Sequence, residues 1–261
     1  MSKVVVDISP NDKIATITFT RDATLNAITK EDYDAFAIAL REIDANPDVL
    51  VTVWQGKWFC AGTDVKSREA TAPTLRHNFL QRVAAANTET SHALYTHSKI
   101  LVAALNGPVI AFLGNFDFIY CMENAWLSVP FAFLGLVTEG GSSVSFVNRM
   151  GVAKANETLI WGKKQTSRDL LACGFVNQIF PQQDVASFHR AVRDLLLSEL
   201  SDLVPSSVLA VKKLIKTGLR EKNDPDAVNL RESFEQAARL HSGIPAERFH
   251  KISTKKIRHK L

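Results

Sequence analysis

Apolar and polar positions alternate from the start of the chain. Lys3 to Ile8 and Ile14-Ala15-Thr16-Ile17-Thr18-Phe19 carry the two-residue period of strands, parted by the turn residues Pro10-Asn11-Asp12. The period then lengthens. Thr29 stands as an N-cap before Lys30, with Glu31 and Asp32 in the first turn, and Tyr33, Phe36, Ile38, Leu40 and Ile43 supply the apolar positions of a helix. That helix is expected to run to about Asn46, before Pro47. Leu50 to Trp54, Ile100 to Leu105 and Ala125 to Val129 read as further strands, the last two stopped by Asn106-Gly107-Pro108 and by Pro130. Strands alternating with helices predict an α/β architecture. From about Leu196 the strands cease. One helix is expected to begin at Val204-Pro205-Ser206-Ser207 and run through Val208, Val211, Leu214 and Ile215, and a second to span Val228 to Leu240. The expected organisation is therefore a core over 1–198 and a helical segment with a basic tail over 199–261, whose apolar stripes need a partner.

Composition narrows the field. Of 261 residues, 46% are hydrophobic and 22% charged, as in an ordinary soluble globular protein. No apolar run reaches the roughly 18–20 residues of a membrane span, and the opening MSKVVVDISPNDK lacks the layout of a secretory signal. Cys60, Cys121 and Cys173 form neither a disulfide framework nor a zinc pattern, and the seven histidines assemble no metal site, so no metal is expected. The net charge of +4 gathers in the tail from Lys251 to Lys260 without interleaved aromatics, which argues against a nucleic-acid partner. His259-Lys260-Leu261 fits the format of the S-K-L peroxisomal address, predicting an import receptor as partner and the peroxisomal matrix as location.

Three segments carry candidate chemistry: Trp58-Phe59-Cys60-Ala61-Gly62-Thr63-Asp64-Val65-Lys66, Asn106-Gly107-Pro108-Val109-Ile110-Ala111-Phe112-Leu113-Gly114, and Pro130-Phe131-Ala132-Phe133-Leu134-Gly135-Leu136-Val137-Thr138-Glu139-Gly140-Gly141. Each follows a predicted strand, and the first two hold small residues that let backbone approach a ligand. Alone, each also reads as an ordinary turn. In this order and spacing, together with Leu25-Asn26-Ala27, they resemble the crotonase superfamily of acyl-CoA enzymes over nearly the whole chain. The resemblance implies a spiral of strand–strand–helix (ββα) units with a C-terminal helical trimerisation segment, assembled as a homotrimer or hexamer. It also implies an acyl-CoA thioester substrate, with coenzyme A as part of the substrate and no separate cofactor.

By position, the resemblance gives the backbone N–H groups of Thr63 and Phe112, the latter at the start of a helix, as an oxyanion hole for the thioester oxygen. It places Ala61, Gly62, Asp64, Val65 and Lys66 along the CoA pocket and Phe131 and Leu136 beside the acyl chain. Hydratases of this superfamily carry two glutamates at positions that are Asn115 and Phe131 here, so water addition is expected to be lost or weak. Glu139, in Leu-Gly-Leu-Val-Thr-Glu-Gly-Gly, resembles the single base of fungal peroxisomal Δ3,Δ2-enoyl-CoA isomerases. It would take a proton from C2 of a 3-enoyl-CoA and return it to C4, giving the 2-trans-enoyl-CoA, with a pKa raised by Phe112, Phe131, Phe133 and Leu136. The alternatives are a dienoyl-CoA isomerase, whose second acid would fall at Phe131, another enzyme of peroxisomal secondary metabolism, and a non-catalytic acyl-CoA binder. Asp117 is read as a cap or surface contact or as a second carboxylate. The polar segment from Arg68 to Ser98, with His77, His92 and His97, is expected to cover the acyl pocket.

Overall fold

The computed structural model describes residues 1–64, 74–109 and 111–258. The first half runs β1 (Val4–Ser9), β2 (Ile14–Phe19), α1 (Lys30–Ala45), β3 (Val51–Gly56), α2 (Leu75–Asn78), a π-helical stretch (Phe79–Thr88), α3 (Glu89–Thr96), β4 (Ile100–Leu105) and β5 (Pro108–Val109). A 3₁₀ turn (Ala111–Asn115) leads to β6 (Phe118–Met122), β7 (Trp126–Leu127), α4 (Phe131–Leu134), α5 (Ser142–Leu159, broken at Gly151), β8 (Gln165–Thr166), α6 (Ser167–Ala172) and β9 (Gln178–Phe180). Four helices close the described chain: α7 (Val185–Leu200), α8 (Pro205–Lys222), α9 (Pro225–His241) and α10 (Ile244–Ser253). Among the described residues, no helix is long and apolar enough to cross a membrane.

The main sheet has six strands in the order β1-β2-β3-β4-β6-β9. β1 pairs antiparallel with β2, and every other pairing in it is parallel. Parallel strands covered on both faces should be apolar throughout, and β4 shows why. Leu101, Ala103 and Leu105 pack with Tyr33, Phe36 and Leu40 of α1, whereas Ile100, Val102 and Ala104 pack with Phe188, Val192 and Leu196 of α7. The two-residue period thus feeds two cores at once. β5, β7 and β8 form a smaller sheet of three strands.

α1 begins at the expected cap: the Thr29 hydroxyl accepts from the Asp32 amide, and the Asp32 carboxylate accepts from the Thr29 amide, a reciprocal capping box. Other expectations are corrected. The chain after Phe112 does not continue as a helix but ends its 3₁₀ turn at Asn115 and enters β6. Gly114 lies so close to α5 that an added Cβ would sit 2.0 Å from Ser145 Oγ, and the Asn115 side chain turns back onto the Phe112 carbonyl. The strand expected over Ala125–Val129 is reduced to two residues, because Val129 and Pro130 bend into α4. Position 198 falls inside α7, which packs on the sheet. Val65, Lys66 and the His259-Lys260-Leu261 tripeptide lie outside the described residues.

Candidate active site

Thr63 is held by a parallel bridge to Ile28, in which Ile28 N–H donates to the Gly62 carbonyl (2.8 Å) and Asp64 N–H donates to the Ile28 carbonyl (2.9 Å). In such a bridge the middle residue's own N–H points away from the partner segment, so the Thr63 amide faces the side opposite Ile28. Phe112 is the second residue of its 3₁₀ turn, and the leading N–H groups of a helical turn have no partner within it. A turn of five residues aligns few peptide dipoles, so the helix-dipole support expected at Phe112 is replaced by that of a short turn.

Tyr33 joins the two segments. This buried residue of α1 places its hydroxyl 2.7 Å from Thr63 Oγ1, while its ring meets Phe112 edge-on at 6.1 Å. The third segment abuts the second. Gly140 has a left-handed φ of 71°, and a Cβ built there would lie 2.8 Å from Phe112 Cδ1. Asn115 Nδ2 reinforces the contact by donating to the Gly140 carbonyl at 3.0 Å. Thr63, Tyr33, Phe112, Gly140 and Glu139 therefore follow one another in a connected run, in which Tyr33 of α1 joins the three stretches singled out in the sequence.

Glu139 is half-buried, three residues ahead of α5. Its Oε2 accepts from Asn87 Nδ2 at 2.5 Å and from Gln236 Nε2 at 2.7 Å. The donors come from the π-helical stretch, within the segment expected to cover the acyl pocket, and from α9, which the sequence had not marked as contributing to the site. Next to it, buried Glu232 of α9 accepts from the amides of Gly141 (2.7 Å) and Ser143 (2.8 Å), closing the N-terminus of α5. Burial pushes the Glu232 carboxyl up from its ordinary pKa, against the amide and hydroxyl donors that pull it down. The sequence does carry one signal for these residues. Asn229, Glu232, Ser233 and Gln236 take the i, i+3, i+4, i+7 places on α9 that ordinarily read as an apolar stripe, and here they are polar.

The remaining expected residues divide. Phe131 and Leu136 are buried in the main core, Phe112 is 2% exposed within it, and Phe133 is half-buried with the Arg248 guanidinium 4.7 Å from its ring centre. Ala61 is exposed, and Gly62 and Asp64 are partly so, on the Thr63 turn. Asn115 is an amide linking Phe112 and Gly140 rather than an acid. Asp117 does not join Glu139: it accepts from the Leu101 amide at 2.7 Å and pairs with Lys212 at 2.6 Å, at the side of the sheet. The described part of the segment from Arg68 to Ser98 is helical, and it contributes Asn87 rather than a histidine to Glu139. His97 is buried against Thr52 Oγ1 (2.8 Å). A cavity of about 810 Å³ lies elsewhere, between α5, β6 and α8, and Glu139, Thr63 and Phe112 are not part of its lining.

Residues 9–248 match the family model described as enoyl-CoA hydratase/isomerase. The chain is 35% identical to a Delta(3,5)-Delta(2,4)-dienoyl-CoA isomerase of Pyricularia oryzae, over 98% of this chain and 99% of that one. It is 31% identical to the 3,2-trans-enoyl-CoA isomerase of Saccharomyces cerevisiae, over 91% and 90%. Among solved structures, an enoyl-CoA hydratase/isomerase from Pseudoalteromonas atlantica superposes over the full length of both chains with a TM-score of 0.82 at 23% identity, which shows the shared fold. The chain belongs to the enoyl-CoA hydratase/isomerase family, the crotonase superfamily.

Proposed function

We propose that this protein converts 3-enoyl-CoA thioesters to 2-trans-enoyl-CoA, with Glu139 carrying one proton from C2 to C4. Proton removal beside the thioester carbonyl places negative charge on its oxygen, and the Thr63 and Phe112 amides supply preorganised donors for that charge. Asp64, Val65 and Lys66, with Ala61 and Gly62, would line the CoA moiety, and Phe131 and Leu136 would back the acyl chain. The observation that carries the reading is the Glu139 carboxylate, oriented by two amides and joined to the Phe112 turn through Gly140. Assembly into a homotrimer or hexamer belongs to the same reading, supported by Val204, Val211, Leu214 and Ile215, large apolar side chains that α8 and its lead-in leave exposed.

A second reading has one observation in its favour, the 35% identity to a dienoyl-CoA isomerase over nearly its whole length. Moving two double bonds from 3,5 to 2,4 takes a proton from C2 and delivers it to C6, four carbons away, which favours a second acid further along the acyl chain. Phe131 stands where that acid is expected, Asp117 is engaged by Lys212, and Glu232 is engaged by two backbone amides. These engagements favour the single shift to C4. The test is the product formed by the purified protein from 3-hexenoyl-CoA and from a 3,5-dienoyl-CoA. The proposal expects rapid formation of the 2-trans product from the first, and loss of about 100-fold or more of that rate in Glu139→Gln, with CoA-ester binding retained. A Glu139→Gln variant as fast as the parent would remove Glu139 as the base, and preferential turnover of the dienoyl ester would install the second reading.

A further inference from the structure

A helix docked for stability alone turns apolar side chains inward. α9 turns inward Asn229, Glu232, Ser233 and Gln236 beside only two apolar residues, Val228 and Ala237, while Leu230 and Phe234 stay exposed. Burying four polar side chains costs free energy unless each is paired, and every one of them is paired at the site. Asn229 Nδ2 donates to the Thr88 carbonyl (3.0 Å), and Ser233 Oγ lies 2.8 Å from Thr88 Oγ1, next to the Asn87 that meets Glu139. Glu232 holds the amides that follow Glu139, and Gln236 reaches Glu139 itself. The polar face of α9 thus grips both elements that converge on the carboxylate.

We infer that Gln236 is a positioning residue for Glu139, holding Oε2 and so fixing the orientation of the carboxylate. The inference rests on Glu139 being the base of the proposed isomerisation. The amide cannot be reversed: its Oε1 accepts from the Val137 N–H at 3.2 Å, so its Nε2 must face Glu139. With Asn87 it directs two donors at Oε2. Donors to a carboxylate favour its ionised form, and a proton arriving at Oε2 would have to displace one of them. Gln236 has no titratable proton in the working range, so it orients the base without competing with it. The charged groups bonded around this loop are Glu232 on the Gly141 and Ser143 amides, Arg239 on the Gly135 carbonyl and Arg248 on the Phe133 carbonyl, and Arg82 lies on the helix that supplies Asn87. All of them are retained in the variants below.

The experiment compares Gln236→Leu and Gln236→Glu, each alone and with Glu139→Gln, using 3-hexenoyl-CoA and reading kcat, KM and the pH profile of kcat/KM. Gln236→Leu should lower kcat about tenfold with KM little changed, since a carboxylate freed from its orientation reacts from fewer competent geometries. The acidic limb of the profile should move up by about one pH unit, the scale of one hydrogen bond to a charged group. Gln236→Glu keeps an acceptor for Val137 and the shape of the side chain, which guards against a folding failure. It sets a second carboxylate against Glu139, so the pair should share a proton and the limb should move up further. In the Glu139→Gln background, Gln236→Leu should cost no additional rate. An unmoved acidic limb in both variants, or an equal tenfold loss from Gln236→Leu with Glu139 already replaced, overturns the role of Gln236 alone. A fully active Glu139→Gln overturns the assigned base, and the inference with it.

Discussion

Gly140 offers a quantitative test of how Glu139 is placed. Its φ of 71° is a conformation that costs a residue with a Cβ about 1–2 kcal/mol. A Cβ there would also stand 2.8 Å from Phe112 Cδ1 and 3.1 Å from Cε1, with the Ala111 backbone carbon at 3.4 Å. Ordinary contact begins at 3.4 Å, so ring and loop must separate by about 0.6 Å (3.4 less 2.8). The ring has little room, being buried in the core against Tyr33. At about 2–4 °C per kcal/mol for a chain of this size, the backbone cost alone in Gly140→Ala should lower Tm by roughly 2–8 °C. The displacement falls between Glu139 and the Phe112 amide. A misplacement near 1 Å can cost about 100-fold, so a loss of roughly tenfold in kcat is expected. Gly141→Ala is the matched control. It has a φ of 75°, but its nearest neighbour would be Asn115 Oδ1 at 3.8 Å, so it should lose comparable stability and less rate. Thermal melting and initial rates on 3-hexenoyl-CoA read both effects. A Gly140→Ala protein with parental Tm and rate would refute the loop placement, and equal rate losses at both glycines would refute the role given to the Phe112 contact.

Two further outcomes follow from features away from Glu139. Burial lowers the pKa of His97 from 6.5 to about 4, against the attraction of Asp44 and with further lowering from Lys212 and Lys216. A base whose folded pKa is depressed stabilises the fold above its unfolded pKa, so denaturant stability should decline as pH falls from 6.5 toward 4, and less steeply in His97→Gln. Leu214, 72% exposed on α8, lies on the face proposed for assembly, and Leu214→Glu should lower the mass read by light scattering toward that of a monomer. An unchanged mass would mean that this face is not used.

Elements ruled by local pattern were legible. The α1 capping box, the alternation of β2 and the apolar run of β4 each have a physical cause within a few residues, and each is where the pattern puts it. β6 was not, because Phe118-Ile119-Tyr120-Cys121 follows a turn that reads equally well as the start of a helix; packing of Gly114 on α5 decides between them. At the site, the small residues around Thr63 and Phe112 announced backbone close to something. Nothing local announces that Gln236, 97 positions from Glu139, bonds to it. Hydrophobic periodicity searches for apolar stripes, and four of the six buried residues of α9 are polar. Glu139 itself was expected to feel mainly its apolar neighbours, whereas amide donors reach it from two separate helices.

The π-helical stretch Phe79–Thr88 sets the azimuth of Asn87. Adding or deleting one residue in an α-helix rotates everything beyond it by about 100°, enough to swing a side chain off its target. A wide-turned helix is a place where such a length change has already been absorbed. Its flanks are anchored, upstream by Phe79 stacked on Phe234 at 4.8 Å and downstream by Thr88 on Ser233. Loss of one residue between those anchors would tighten the winding without unseating either end. The anchor at Thr88 therefore keeps its neighbour Asn87 on the carboxylate, and a change of length upstream would be taken up in the winding between Phe79 and that anchor.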